Sequence, residues 1–303
     1  MMKSIRSGLS VVGRKPGLVA LIYAVNVFTA LVIAVPLYIG LSRIVGPTGF
    51  GFDLAAGSNI VVWADIIESL SHVSAAAFVQ VMWILPVVFL AKVVSSVGLI
   101  NAIRDDGIRS FWPGVGQYGG RAIVLGLAYL LVTIVGTIGI TILLAIGYSV
   151  FSGEVGTYRM TVYVVPSMFL IFFAIIDLFH DYSRIKLVKD EVPVMRCFFH
   201  GFAWPWRHRG SIAIYVFWYL GAAILLVFPT LLDTNMAAST IGGIVVLFLI
   251  QQVVMVLRSA VTVAWFGSEV TYYEKIDWSL APMIAGDATG GESGLESSPA
   301  VST

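Results

Sequence analysis

Six long apolar stretches dominate this sequence and restrict the folds that it can adopt. They cover residues 17–42, 76–103, 122–150, 160–180, 211–232 and 240–266. About 20 consecutive apolar residues suffice for a helix to cross the hydrocarbon core of a bilayer. A spanning segment must satisfy its backbone hydrogen bonds internally, and a helix does so. The sequence therefore predicts an all-α fold, a polytopic six-helix transmembrane bundle over residues 1–284.

The composition excludes the soluble globular classes. Of the 303 residues, 58% are hydrophobic and 12% are charged, and the mean hydropathy is +0.93. Soluble domains average about 45–50% apolar and about 25% charged residues. Residues 285–303 differ from the rest because they are rich in Gly, Ser and Ala and lack aromatic side chains. This composition predicts a disordered cytoplasmic tail.

Basic residues are distributed unequally between the two sets of connections. Fourteen Lys and Arg residues lie in the N-terminus, in 104–121, in 181–210 and after the sixth stretch, whereas 44–75, 151–159 and 233–239 together hold Arg159, with Arg43 at a boundary. Cytoplasmic loops carry the excess of Lys and Arg in membrane proteins. The bias predicts a multi-pass protein of the cytoplasmic (inner) membrane with both termini in the cytoplasm.

The two larger basic connections resemble each other, which suggests an internal repeat. Ile100–Asp106 aligns with Ile185–Glu191 at an offset of 85 residues, and each is followed by an aromatic pair and a glycine. One interpretation is a bundle of three repeated helical hairpins whose chain returns along the membrane surface through amphipathic segments. The alternative is chance similarity between apolar sequences. A further amphipathic helix is predicted at 59–74, on the opposite side.

Three formal charges lie within the apolar stretches, at Lys92, Asp177 and Arg258. Each is 16 to 18 residues from the outer end of its helix, which predicts one intramembrane charge layer. A charge in lipid normally faces a partner or a water-filled cavity. The layer therefore fits an ionic clasp between helices. It also fits a site for an anionic ligand or lipid headgroup, or an ion relay.

A distinctive string, Asp181-Tyr182-Ser183-Arg184-Ile185, follows the fourth stretch. With His180 it forms a predicted helix-end cluster of His180, Asp181 and Arg184. The string resembles the Asp-Tyr-Ala-Arg-Ile signature at the end of the fourth helix in a group of uncharacterised bacterial six-helix integral membrane proteins. Ser183 stands here where that group usually has Ala. The resemblance implies a fold and a membrane location, and it implies no activity.

Segment 194–209 combines aromatic and basic residues and is predicted to lie at the inner membrane surface. The residues expected to face lipid or a partner protein are Arg196, Trp204, Trp206, Arg207 and Arg209. Each basic residue near an anionic surface contributes about 1 kcal/mol to binding. The expected partners are anionic membrane lipids, with a partner membrane protein or a second copy of the chain as further options.

The sequence carries no recognisable catalytic motif. It contains no H-E-x-x-H, no G-x-S-x-G and no G-x-x-x-x-G-K-[ST] pattern, and it indicates no metal, cofactor or nucleic-acid site. The favoured hypothesis is a non-enzymatic scaffold or accessory subunit that binds anionic lipid or a partner protein at its cytoplasmic face. The alternative is a transporter or channel for a small anion or lipid-like solute, with Lys92 and Arg258 at its site.

Overall fold

A computed structural model describes residues 1–45, 86–105, 107–150, 159–235 and 241–289, with isolated positions at 82, 84, 153 and 156. Every regular element in these ranges is helical. In chain order they are α1 (Met2–Arg14), α2 (Pro16–Val45), α3 (Pro86–Arg104), α4 (Ile108–Val150), a π-helical turn (Met160–Val164), α5 (Val165–Asp190), α6 (Val194–Arg207), α7 (Arg209–Asn235) and α8 (Ile241–Thr289).

Six of these helices are long and apolar enough to cross a membrane, namely α2, α3, α4, α5, α7 and α8. The mean hydropathy of their most apolar windows lies between 1.8 and 2.5. Many of their large apolar side chains point outward, which suits helices that face lipid rather than water. The predicted all-α six-helix architecture is confirmed.

Several helices extend beyond the predicted apolar stretches. α4 begins at Ile108 rather than at residue 122, and α5 continues past residue 180 to Asp190. Both extensions bury apolar residues, including Tyr118 and Leu187, so packing continues each helix outside its apolar stretch. α8 remains helical to Thr289, five residues into the segment predicted to be disordered. Residues 290–303 and the predicted helix at 59–74 lie outside the described residues.

The buried core lies towards one end of the bundle. Here the C-terminal parts of α3, α5 and α8 meet α6, the start of α4 and the start of α2. Most Lys and Arg residues lie at this end, which we call the basic end. Towards the opposite end the same helices carry mostly exposed apolar side chains, for example Leu143, Ile146 and Val150 of α4.

Polar contacts join α3, α5 and α8 at the basic end. Arg104 of α3 donates a hydrogen bond to the carbonyl oxygen of Val188 in α5 at 3.2 Å. The same guanidinium group lies 3.4 Å from the carboxylate of Glu274 in α8. Tyr273 of α8 donates to Asp190 of α5 at 3.3 Å. Because each contact crosses between helices, the three helix ends are held together.

Three amphipathic segments surround these helix ends, namely α1, α6 and residues 108–121 of α4. A methyl group added to Gly8 of α1 would lie 2.8 Å from the backbone nitrogen of Ser268 in α8. One added to Gly114 would lie 2.6 Å from Cβ of Asn101 in α3. One added to Gly201 of α6 would overlap Ser183 in α5. Glycine thus permits a close approach in each pairing.

Two basic side chains cap the C-terminal ends of α3 and α5. Lys15, between α1 and α2, donates to the carbonyl oxygens of Ala102, Ile103 and Asp105 at 3.0, 2.9 and 2.6 Å. Arg121 donates to the carbonyl oxygens of Glu191 and Val192. The last carbonyls of a helix lack intrahelical partners and carry partial negative charge, so cations stabilise them.

Candidate functional site at the basic end

The helix α6 has two chemically distinct faces. Pro193 precedes its first turn, where a missing N–H costs nothing, and Cys197, Gly201 and Trp204 point into the core. These positions are spaced by four and three residues, so they share one side of the helix. Arg196 and Phe199 lie on the exposed side. The helix therefore presents a mixed basic and apolar surface outward.

Trp204 does not face lipid or a partner, which corrects the prediction from sequence. Its side chain is 7% exposed. The ring packs against His208 at a centroid distance of 4.0 Å and against Tyr273 at 4.5 Å. The reason is its position on the same face as Cys197 and Gly201. The position of an aromatic residue along an amphipathic helix decides which side of the helix it occupies.

The other four predicted surface residues are exposed. Trp206 is 66% exposed, and Arg196, Arg207 and Arg209 also lie on the surface. In the part of the chain that the structure describes, none of these arginines enters an ion pair. Their guanidinium groups are therefore free to meet an external anion.

A shallow open groove of about 680 Å³ lies where α6 meets α7. Its lining consists of Trp206, Arg209, Ile212, Ala213, Val216 and Phe217. The polar residues are at the end nearest α6, whereas the four apolar residues follow α7 at helical spacing. The groove thus combines a cationic, aromatic head with an apolar floor.

Asp181 and Arg184 form a buried ion pair within α5. Asp181 is 3% exposed and Arg184 is 7% exposed. The guanidinium carbon also lies 5.5 Å from the ring centre of Phe266 in α8. The predicted helix-end cluster needs correction, because α5 continues to Asp190 and these charges face the interior. The buried residues Leu187 and Val188 extend the packed face beyond them.

Glu269 of α8 is a second buried carboxylate that the sequence analysis did not select. It is fully buried, accepts a hydrogen bond from Trp265 at 2.9 Å, and interacts electrostatically with Asp181 and Arg184. Glu269 follows Arg184 by 85 residues, the offset of the proposed repeat. That offset is the signal that could have identified it. The interior of the basic end thus holds two carboxyl groups and one guanidinium group.

His180 packs against an aromatic side chain instead of acting with Asp181. Its ring stacks on Tyr129 of α4 at a centroid distance of 4.7 Å. The Tyr129 hydroxyl lies 2.7 Å from Oγ of Ser183, so the string residues contact α4 through a buried polar bond. His180 and Ser183 therefore pack α5 against α4.

The structure does not join Lys92, Asp177 and Arg258 into an ionic clasp. All three side chains are exposed on helix surfaces, and no ion pair links them to each other or to another described residue. Asp177 instead accepts a hydrogen bond from Tyr215 of α7 at 3.1 Å. The groove at α6 and α7 includes none of them. A functional role for this layer stays a prediction.

Burial favours the neutral form of two histidines, His200 in α6 and His208 just after it. Burial lowers the pKa of His200 to about 4, with smaller effects from Lys186, Arg207 and His208 in the same direction and an opposing effect from Asp190. Burial and the adjacent Arg207 lower the pKa of His208. Among the described residues, no group of three His, Cys, Asp or Glu side chains could hold a metal ion.

No protein-family model, curated protein or solved structure matches the chain.

Proposed function

We propose that this integral membrane protein is a non-enzymatic scaffold or accessory subunit that binds anionic phospholipid at its cytoplasmic face. The binding surface consists of Arg196, Trp206, Arg207 and Arg209. The proposal includes a location in the cytoplasmic (inner) membrane, with the basic end and both termini in the cytoplasm. The resemblance of Asp181–Ile185 to a bacterial membrane-protein group supports the location and adds no activity.

The groove between α6 and α7 is the observation that carries this proposal. Arg209 and Trp206 lie at its head, where a phosphate group and the glycerol region of a lipid would sit. Tryptophan suits this position because its ring is apolar and its N–H can reach the interface. Ile212 and Val216 continue along the spanning part of α7, where an acyl chain would pack. A phospholipid has both a phosphate group and acyl chains and therefore fits this groove.

The charges on the surface favour an anionic lipid over a neutral one. Each basic residue near an anionic surface contributes about 1 kcal/mol. Arg196, Arg207 and Arg209 are exposed and make no ion pair with the described residues. Together they would raise the preference for an anionic headgroup by about two orders of magnitude.

Transport of a small anion has less support from the geometry. That hypothesis needs Lys92 and Arg258 at a shared site, and both side chains are exposed on separate helices. They therefore serve as matched controls, since they are basic, exposed and distant in sequence from α6.

The test measures bound lipid on the purified full-length protein. The protein is reconstituted in mixed phosphatidylglycerol and phosphatidylcholine, and the retained lipids are counted by native mass spectrometry. In the triple variant Arg196→Gln, Arg207→Gln, Arg209→Gln we expect at least one bound phosphatidylglycerol molecule per chain to be lost. In the double variant Lys92→Gln, Arg258→Gln we expect no change.

Two outcomes would contradict the proposal. One is unchanged phosphatidylglycerol in the triple variant, and the other is a loss confined to the double variant, which would favour an anion site at Lys92 and Arg258. Inorganic phosphate has the charge of the headgroup but no acyl chain. We therefore expect excess phosphate to leave the lipid bound, and displacement by phosphate would argue for a simple anion site.

A further inference from the structure

The three amphipathic segments share one residue pattern. Each contains an apolar residue followed by a basic residue, at Met2–Lys3, Ile108–Arg109 and Met195–Arg196. A glycine follows six positions after the apolar residue in every segment, at Gly8, Gly114 and Gly201. Gly114 and Gly201 are 87 residues apart, and Gly8 precedes Gly114 by 106 because the long connection at 44–75 intervenes. Three coincidences of this kind indicate equivalent positions.

The helices that receive α6 and α1 also correspond to one another. Gly201 packs on Phe179 and Ser183 in α5, and Gly8 packs on Ala264 and Ser268 in α8. These two pairs are separated by 85 residues. In each pair the serine hydroxyl donates to the carbonyl oxygen four residues earlier, at 3.0 Å in α5 and 2.7 Å in α8. The docking of α1 on α8 therefore repeats the docking of α6 on α5.

The docked faces of α1 and α6 correspond, and the outward faces of all three segments share a composition. Phe199 is exposed on α6, Trp112 on the start of α4, and Leu9 on α1, at 63%, 65% and 54%. Basic side chains accompany them on the surface without an ion pair to any described residue, at Lys3, Arg6, Arg14, Arg109, Arg196, Arg207 and Arg209. Each segment thus presents apolar or aromatic groups beside positive charge.

We infer that α1 and residues 108–121 form two additional anionic-phospholipid sites equivalent to the one at α6, so that one chain binds three such lipids around its basic end. This inference rests on the proposed function of α6. The ligand chemistry is the same at each segment, a phosphate headgroup beside Lys or Arg with acyl chains against the apolar residues. A lipid surface fits because all three segments flank the ends of spanning helices.

The number of exposed cations predicts an order of affinity. α1 carries Lys3, Arg6 and Arg14, and α6 with the start of α7 also carries three, whereas residues 108–121 offer Arg109. Arg121 is left out of this count because its guanidinium group caps the C-terminal end of α5. Each cation raises the affinity for the lipid about fivefold, so we expect the affinity of the site at Arg109 to be about 25-fold lower than that of the other two.

The experiment counts phosphatidylglycerol bound to the full-length protein by native mass spectrometry. We expect up to three lipids on the unmodified chain as their concentration is raised. The variants Lys3→Gln with Arg6→Gln, Arg109→Gln, and Arg207→Gln with Arg209→Gln should each lower the maximum by one. Arg159→Gln is the matched control at the opposite end, and it should leave the count unchanged.

A photoactivatable phosphatidylglycerol provides a second measurement that needs no variant. Its crosslinked peptides should map to α1, to residues 108–121 and to α6 with the start of α7. Crosslinking and lipid loss confined to α6 and α7 would overturn the inference and leave the proposed function intact. If none of the variants reduced the bound lipid and crosslinks were scattered over the spans, both would fail.

Discussion

Arg184 is the buried cation among the described residues, and its carboxylate partner lies on the same helix. It pairs with Asp181 on its own helix and interacts with Glu269 on α8. Taking charges out of water is costly unless they remain paired. The guanidinium group therefore balances the charge of Asp181, and its contact with the Phe266 ring links α5 to α8. This is why a charged string lies inside the core and not at a solvated helix end.

Replacing Arg184 should destabilise the protein more than replacing Asp181. Arg184→Met leaves Asp181 and Glu269 buried without their cation, and we expect a loss of about 3–5 kcal/mol in the free energy of unfolding. Asp181→Asn should cost less, because the amide oxygen of asparagine can still accept the hydrogen bond that Arg184 donates. Thermal unfolding of both variants in detergent checks the order. Equal losses, or a larger loss for Asp181→Asn, would contradict it.

His200 makes stability depend on pH. Its pKa of about 4 in the folded protein is below the ordinary value of about 6.5, so the unfolded chain takes up a proton first as pH falls. The contribution to stability is complete above about pH 6.5 and declines towards about pH 4. Unfolding temperatures measured at about pH 7 and about pH 5 should differ less in His200→Gln than in the unmodified protein.

The charged groups around His200 come from several elements. Lys186 and Asp190 belong to α5, whereas Arg207 and His208 lie at the end of α6 and just after it. His208 also has a lowered pKa, so His208→Gln should remove a further part of the decline. An unchanged pH profile in both variants would mean that carboxylates alone cause the loss at low pH.

Pairing between helices depends on where small residues allow close contact. Gly201 in α6 and Gly221 in α7 are both helical glycines and cannot be told apart by composition. A methyl group at Gly201 would overlap Ser183 and Phe179 and lie 2.6 Å from the Tyr129 hydroxyl, whereas one at Gly221 would have no described neighbour within 4 Å. The tertiary contact gives the first glycine its importance.

Gly201→Ala should therefore separate α6 from α5, and Gly221→Ala should not disturb the fold. Overpacking a tight contact typically costs about 1–3 kcal/mol. At an open helical position alanine gains up to about 1 kcal/mol over glycine through helix propensity. Unfolding temperatures of the two variants should shift in opposite directions. A harmless Gly201→Ala would mean that α6 does not pack closely on α5.

The helical elements were largely predictable, but their faces and ends were not. Long apolar stretches predicted six spans, and the structure has six helices that fit them. The sequence predicts the start of α4 too late, because residues 108–121 contain Pro113 and several glycines, which weaken a helical pattern. Trp204 was placed on the surface because composition does not reveal the register of a short amphipathic helix. Its inward position depends on Gly201 docking against α5.

The orientation of the protein in the membrane can be tested directly. In a Cys197→Ser background, which removes the single cysteine of the chain, Arg109→Cys and Arg159→Cys place thiols in connections of opposite sides. A membrane-impermeant maleimide applied to intact cells should label Arg159→Cys at once, and Arg109→Cys after permeabilisation. Positive loops favour the cytoplasm. The reverse labelling would invert the topology and move the proposed lipid sites to the outer face.

The class of protein and the approximate spans follow from the amino-acid sequence alone, because a bilayer demands long apolar segments whatever their neighbours are. The sequence also supplied the 85-residue offset that relates α5 to α8. The tertiary structure decided which charges are buried together, which aromatic residues face outward, and that α1 docks on α8. These features depend on contacts between residues far apart in the chain. Local composition restricts a residue to a helix, whereas long-range packing decides which side of that helix meets the core.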